Sequence, residues 1–177
     1  MRTLLIALEV VVSTGTNFSV LAYEVGTILT TWFEDCPPTN CIIFQWEVTL
    51  DVCVDYVGRD GVRDARELVS RLATATTLPL VLDSTEPAVL EAGLECMGGR
   101  AMINSVNYED GDGPTSRFAR IMPLVVEHGA AVVALTIDEE GQARTADTKF
   151  AIADRLIKDL TQNWGMNLVD ITVDTLT

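Results

Sequence analysis

From residue 49 onward the chain alternates short apolar runs with longer stretches in which apolar residues return every three or four positions. The short runs lie at 49–57 (TLDVCVDYV), 79–83, 101–105, 130–137 (AAVVALTI) and 168–173. Near-continuous apolar runs of this length are how strands buried on both faces read. Between them, Val62, Ala65, Leu68, Val69 and Leu72 share one helical face. Leu90, Leu94 and Met97 share another, then Phe118, Ile121, Met122 and Val125, then Phe150, Ala153, Leu156, Ile157 and Leu160 across 146–164. Strand and helix in alternation predict a parallel α/β sheet.

The punctuation fits that reading. Ser84 and Thr85 offer capping hydroxyls, Pro87 suits a first helical turn, and Gly98 and Gly99 stop the helix. Pro123 predicts a kink, and Gly129 and Gly165 predict two further helix ends. Arg63, Asp64, Arg66, Glu67 and Arg71 read as a solvated outer face. His128 falls in a last helical turn, where capping exposed carbonyls is favoured several-fold over catalysis.

Residues 1–48 do not continue the pattern. The apolar run at 4–12 is interrupted by Glu9, is too short to cross a membrane, and lacks a small-residue cleavage site for a signal peptide. Residues 18–33 and 41–48 are rich in Val, Ile, Thr and aromatics without clean alternation, and Pro37 and Pro38 break them apart. The chain is expected to divide into a strand-like or irregular segment, 1–48, and an α/β domain, 49–177.

Charge narrows the partners. With 26 acidic against 12 basic residues the formal net charge is -14, so there is no basic footprint for nucleic acid or an anionic membrane surface. A cytoplasmic domain is the expectation. Cys36, Cys41, Cys53 and Cys96 do not form a disulfide framework or, with His128 the sole histidine, a zinc pattern. No metal is expected in this chain, and Cys53 and Cys96 read as small core residues. The loop at 107–116 (NYEDGDGPTS) carries Glu109, Asp110 and Asp112 but not the final glutamate of a calcium loop, so it reads as a mobile loop over a pocket. Asp138, Glu139 and Glu140 read either as a repelling cluster with a raised pKa or as a solvated loop.

Candidate chemistry gathers at the carboxyl ends of the strands, where parallel α/β sheets line their ligand sites. Asp83, Asn104 and Asp174 each follow an apolar run, and Asp83 and Asn104, 21 positions apart, are expected side by side over one pocket. Asp51 and Asp55 are set into the first run. Asp55 reads either as a residue at the pocket mouth or as a loop or helix cap. For any single Asp or Asn after a strand, helix capping is the favoured reading.

Three blocks shift that balance. LDSTEPAVLEAGL, GGRAMINSVNYEDGDGP and AAVVALTIDEEGQARTAD closely resemble the pterin-binding (methyltetrahydrofolate) domain of cobalamin-dependent methionine synthases, from about residue 50 to 177. Residues 1–48 show no counterpart. The resemblance implies a partial (β/α)8 TIM barrel of the pterin-binding type, with about five of eight strands, because the family's first, seventh and eighth strands are unmatched. It implies 5-methyltetrahydrofolate as methyl donor and cobalamin, held on another domain, as acceptor. It places Asp83, Asn104 and Asp174 on the pterin. Ionised carboxylates accept from the ring's row of N–H donors, while an amide both donates and accepts. Asn104 is the candidate catalytic contact to the reacting nitrogen, and Asp55 an outer substrate contact. The partners implied are tetrahydrofolate and a cobalamin-binding domain. A five-stranded piece is expected to be inactive alone. The alternatives are a dihydropteroate synthase-like pterin enzyme, against which the acidic strand ends argue, a non-catalytic folate-binding or corrinoid-docking module, and an incomplete gene product.

Overall fold

The structure, a computed structural model, describes residues 7–10, 19–24 and 48–176. Cys36, Pro37, Pro38 and Cys41, and most of the strand-like stretches 18–33 and 41–48, lie outside them. Strands β1 (Ala7–Val10), β2 (Ser19–Glu24) and β3 (Val48–Cys53) come first. Helix α1 (Gly61–Ala75), β4 (Leu80–Asp83), α2 (Pro87–Leu94), β5 (Met102–Val106), α3 (Arg117–His128) and β6 (Ala131–Leu135) follow. A small hairpin, β7 (Ile137–Asp138) and β8 (Gly141–Gln142), precedes α4 (Ala146–Gln162) and β9 (Ile171–Asp174).

One sheet runs β1-β2-β3-β4-β5-β6-β9. From β3 to β9 every pairing is parallel, the five-stranded array with interspersed helices that the apolar runs predicted and that is consistent with part of a (β/α)8-type pterin-binding barrel. β1 and β2 add to it antiparallel, β2 against β3.

Register explains the core. Val52, Leu82, Ile103, Val132 and Ile171 are successive partners across the five parallel strands. The first four are buried in one cluster with Val69 of α1, Leu90 of α2, Ile121 of α3 and Leu156 of α4, with Ile171 packed against it. Gly93 is where α2 meets the sheet: a Cβ there would stand 2.9 Å from Leu82 Cδ1, so any larger residue would push the Leu82 side chain aside.

Local signals set most boundaries. Asp60, Ser116 and Thr145 cap α1, α3 and α4 by accepting from Arg63 N, Ala119 N and Thr148 N. Gly129 ends α3 in the left-handed conformation, φ 59°, with His128 in the last turn as expected. The helix runs unbroken through Pro123.

Several expectations are corrected. α2 is capped by Glu86 without a side-chain bond, and Ser84 instead joins the loops before the helix. That helix ends at Leu94 rather than at Gly98, because 96 and 97 turn back onto Gly93 and Leu94 carbonyls. Met97 still packs against the core, but from a turn. Asp64 is buried against Arg59, not solvated. Phe150 is 75% exposed, since the buried stripe of α4 is Ile152, Leu156 and Leu160, each four residues apart, and position 150 points away from it. The first parallel strand stops at Cys53, and residues 168–170 form a 3-10 turn ahead of β9. Cys53 and Cys96 are half-buried free thiols, and of the two only Cys96 packs against the core.

Candidate functional site at the strand carboxyl ends

Successive residues of a strand point to opposite faces, so the positions alternating with the apolar row share the face turned away from the helices. Along it, Cys53, Asp83, Asn104, Val133 and Thr172 are consecutive register partners. Asp83 and Asn104 are therefore neighbours on one face, as their spacing suggested. Asp83 is the last residue of β4, whereas Asn104 lies inside β5, whose ladder with β6 shifts by one residue between Asn104 and Val106. Asp174, the end of β9, is on the same face but pairs with Leu135, two residues beyond the Asn104 level, or about 7 Å along the strand. It is exposed, and its carboxylate accepts from Leu176 N at 2.8 Å.

Asp55 lies just past β3, exposed, and clamps two loops together. Its carboxylate accepts from Ser84 Oγ at 2.7 and 3.0 Å and from Thr85 N at 2.9 Å. Its charge still reaches the row. Burial and then Asp55 push the Asp83 carboxyl above the usual range, while Arg117, at the start of α3, pulls it back. Arg117 also donates to the Ser105 carbonyl at 3.3 Å, so a guanidinium edges this acidic face.

Beneath the row sits Asp51, one alternate position below Cys53 on β3 and 2% exposed. Its Oδ2 accepts from Asn104 Nδ2 at 3.2 Å, a contact that reaches over β4, and its Oδ1 has no hydrogen-bond partner among the described residues. Burial, with the Asp83 charge second, raises its pKa to about 7. The sequence showed only a carboxylate in an apolar run. What marks Asp51 as part of this face is its parity with Asp83 and Asn104, which depends on register.

The other acidic clusters have structural partners. Tyr108, expected in a mobile loop, is fully buried: its hydroxyl donates to Asp159 at 2.7 Å, its ring meets Phe118 at 4.9 Å, and the Arg155 guanidinium lies 4.0 Å over it. Burial and Asp159 push the phenol far up. Arg155 also holds Asp112 and Glu139, and that bond lowers rather than raises the Glu139 carboxyl. The loop at 107–116 is thus pinned to α4 at its Tyr108 and Asp112 positions. A cleft of about 710 Å³ runs between α3 and α4 past Phe118, Arg155 and Trp164, and none of Asp55, Asp83, Asn104 or Asp174 lines it. In the row itself Asp83 and Asn104 are half-buried and Asp174 is exposed. Among the described residues no three acidic, cysteine or histidine side chains converge as a metal site, and no helix is long and apolar enough to cross a membrane.

This row of Asp, Asn and Asp lies within residues 48–177, which match the family described as pterin binding enzyme. The chain belongs to that family. Its pterin-binding domain is 72% identical over 128 residues to a protein named methionine synthase from Mycobacterium tuberculosis (strain ATCC 25618 / H37Rv), covering 72% of this chain and 11% of that protein. It is 66% identical over 128 residues to the methionine synthase of Mycobacterium leprae (strain TN), with the same coverage. The chain thus spans about 11% of the length of the curated relatives it matches. The pterin-binding domain is that of the methionine synthase family, as the three sequence blocks indicated.

Proposed function

We propose that the face bearing Asp83, Asn104 and Asp174 binds the pterin ring of 5-methyltetrahydrofolate and serves methyl transfer to cob(I)alamin in methionine synthesis. The observation that carries the reading is the pairing of Asp83 with Asn104 across β4 and β5, on the face opposite the helices. It puts an acceptor-only group beside one that both donates and accepts, which suits a ring edge rich in N–H donors next to a carbonyl. The identity to proteins named methionine synthase favours this substrate over the diphosphate of a dihydropteroate synthase-like reaction. So does the acidity of the row, where Arg117 is the cation acting on Asp83.

Cob(I)alamin, carried on a separate domain, supplies the cobalt nucleophile that takes the methyl group. This chain's residues have two tasks. Asp83 and Asp174 hold and orient the ring through its N–H groups. Asn104 faces the methyl-bearing nitrogen, a poor leaving group until it gains positive character, and a contact that strengthens as the bond breaks is worth about 2 to 4 kcal/mol. Cys53 stands beside Asp83 in the row, but burial pushes its thiol pKa up and so disfavours the thiolate; Lys149, Lys158, Cys96 and His128 lie off the row, and direct displacement is the expected course.

The test is a titration of the 177-residue chain with 5-methyltetrahydrofolate followed by NMR shifts, which read millimolar affinities. Contacts that are half-buried at Asp83 and Asn104 and exposed at Asp174 leave the ring partly wetted, so binding should be weak and turnover with free cob(I)alamin slow or absent. Asp83→Ala should weaken binding by about 1 to 3 kcal/mol. Shifts confined to the α3–α4 cleft, with the row unmoved, would refute the assignment.

A further inference from the structure

Three buried side chains among the described residues are carboxylates, and two of them have a cation. Asp64 is paired with Arg59, and Asp170 with Arg100. Asp51 has no cation: Asn104 donates to one oxygen, the other has no hydrogen-bond partner among the described residues, and only the nearby Val52 backbone N–H adds a pull that lowers its pKa. A buried carboxyl satisfied so incompletely destabilises the fold, and an apolar residue would avoid that penalty. Such local conflicts are expected where a group serves a site rather than the core.

The group that Asp51 does touch is Asn104. A primary amide offers an acceptor on one edge and two donors on the other, and a half-turn of its plane exchanges them. Asn104 beside Asp83 is useful to a ligand only if that turn is fixed. The Asp51 oxygen fixes it: Nδ2 donates inward, and Oδ1 with the second N–H is left for the open side.

We propose that Asp51 is a positioning residue of the pterin site, accepting one N–H of Asn104 and so setting which edge of that amide meets the ligand. This rests on the reading of the row as a pterin site. The arrangement is sensitive to pH. Ionised, Asp51 can only accept, and the amide is held as described. Protonated, it can also donate to Asn104 Oδ1, and the restraint on the amide plane is lost. The groups that face it are Asn104 from β5, Asp83 from β4 and Cys53 on its own strand, with Asp55 and Arg117 acting on Asp83. Burial and Asp83 bring the change to about pH 7.

The experiment uses the ¹⁵N-labelled 177-residue chain, with the Asn104 side-chain amide pair identified by its loss in Asn104→Ala. That pair is followed from pH 5 to 8.5, without ligand and during titration with 5-methyltetrahydrofolate, in wild type, Asp51→Asn and Asp51→Ala. In wild type the pair should move with a midpoint near 7, and in Asp51→Asn it should stay still. Asp51→Ala should weaken binding about ten-fold or more. Asp51→Asn, which like the protonated acid both accepts and donates, should bind at every pH as wild type does at low pH, and so should flatten the pH dependence of binding. Where Asp51→Ala does not fold, Asp51→Val fills the space without an acceptor and takes its place. An Asn104 pair indifferent to pH, or full affinity in Asp51→Ala, would overturn the proposal. If wild type shows no ligand shifts at all, it is the pterin reading that fails, and the ligand-free titration of Asn104 decides the positioning role by itself.

Discussion

On the side of the parallel sheet that meets the helices, Val52, Leu82, Ile103 and Val132 form one buried apolar row. One residue away on β3, β4 and β5, the opposite side carries Asp51, Asp83 and Asn104, with Asp174 on the same side at the end of β9. The two rows share backbone, hydrogen bonds and neighbours, yet one is selected for transfer out of water and the other gives up stability. Asp51 and Asp83 both have raised carboxyl pKa values, chiefly from burial, and Asp51 keeps an unpaired oxygen. The helix side holds the strands at fixed spacing, so the other side can afford polar groups in a set arrangement.

Substitutions should separate the two sides. Ile103→Ala, at a fully buried position, should destabilise the chain by about 4 kcal/mol through lost transfer and cavity terms, read from urea midpoints. Asp83→Ala should leave those midpoints nearly unchanged while weakening 5-methyltetrahydrofolate. Equal stability losses in both would abolish the distinction.

The next effect is in pH. Asp51 titrates near 4 in the unfolded chain and near 7 in the fold, so the folded chain holds its proton across that window. Its contribution to stability is full below about pH 4 and is lost as pH rises through 7. The loss is on the order of 3 to 4 kcal/mol. Urea unfolding at pH 5 and pH 8 should show wild type weaker at the higher pH, and Asp51→Asn should show much less of that difference. A wild-type slope retained in Asp51→Asn would assign it elsewhere.

Smaller effects sharpen the contrast outside the row. Tyr108→Phe keeps the ring but removes the donor to Asp159 Oδ2, while Asn163 still donates to Oδ1, and should cost about 1 kcal/mol in urea unfolding with no change in ligand shifts at Asn104. Thr145→Ala removes the cap of α4 and should also cost about 1 kcal/mol or less, again without effect on the row. Loss of ligand shifts in either variant would mean that the two faces are coupled through α4.

The parallel array and its helices were legible in the sequence because burial on both faces and amphipathic periodicity are local patterns. So was the neighbourhood of Asp83 and Asn104, given one helix between two short strands. Element ends were less so. Gly98, Gly99 and Gly165 mark where the chain turns, but α2 and α4 stop three or more residues earlier, at Leu94 and Gln162. Phe150 matched the helical period and still faces water, since a period fixes spacing but not which stripe the sheet selects.

Sequence by itself determined the strand–helix alternation, the left-handed stop at Gly129 and the kinship of residues 48–177, since each depends on neighbours along the chain. Tertiary structure alone decided that Asp51 lies under Asn104, that Asp55 clamps Ser84 and Thr85, and that Arg155 gathers Tyr108, Asp112 and Glu139. Those contacts join residues 16 to 53 positions apart. The Asp51–Asn104 contact exists only once strand register has set which side chains share a face, and a slip of one residue would turn it to the other side, while the other contacts form only when the loops and α4 have docked.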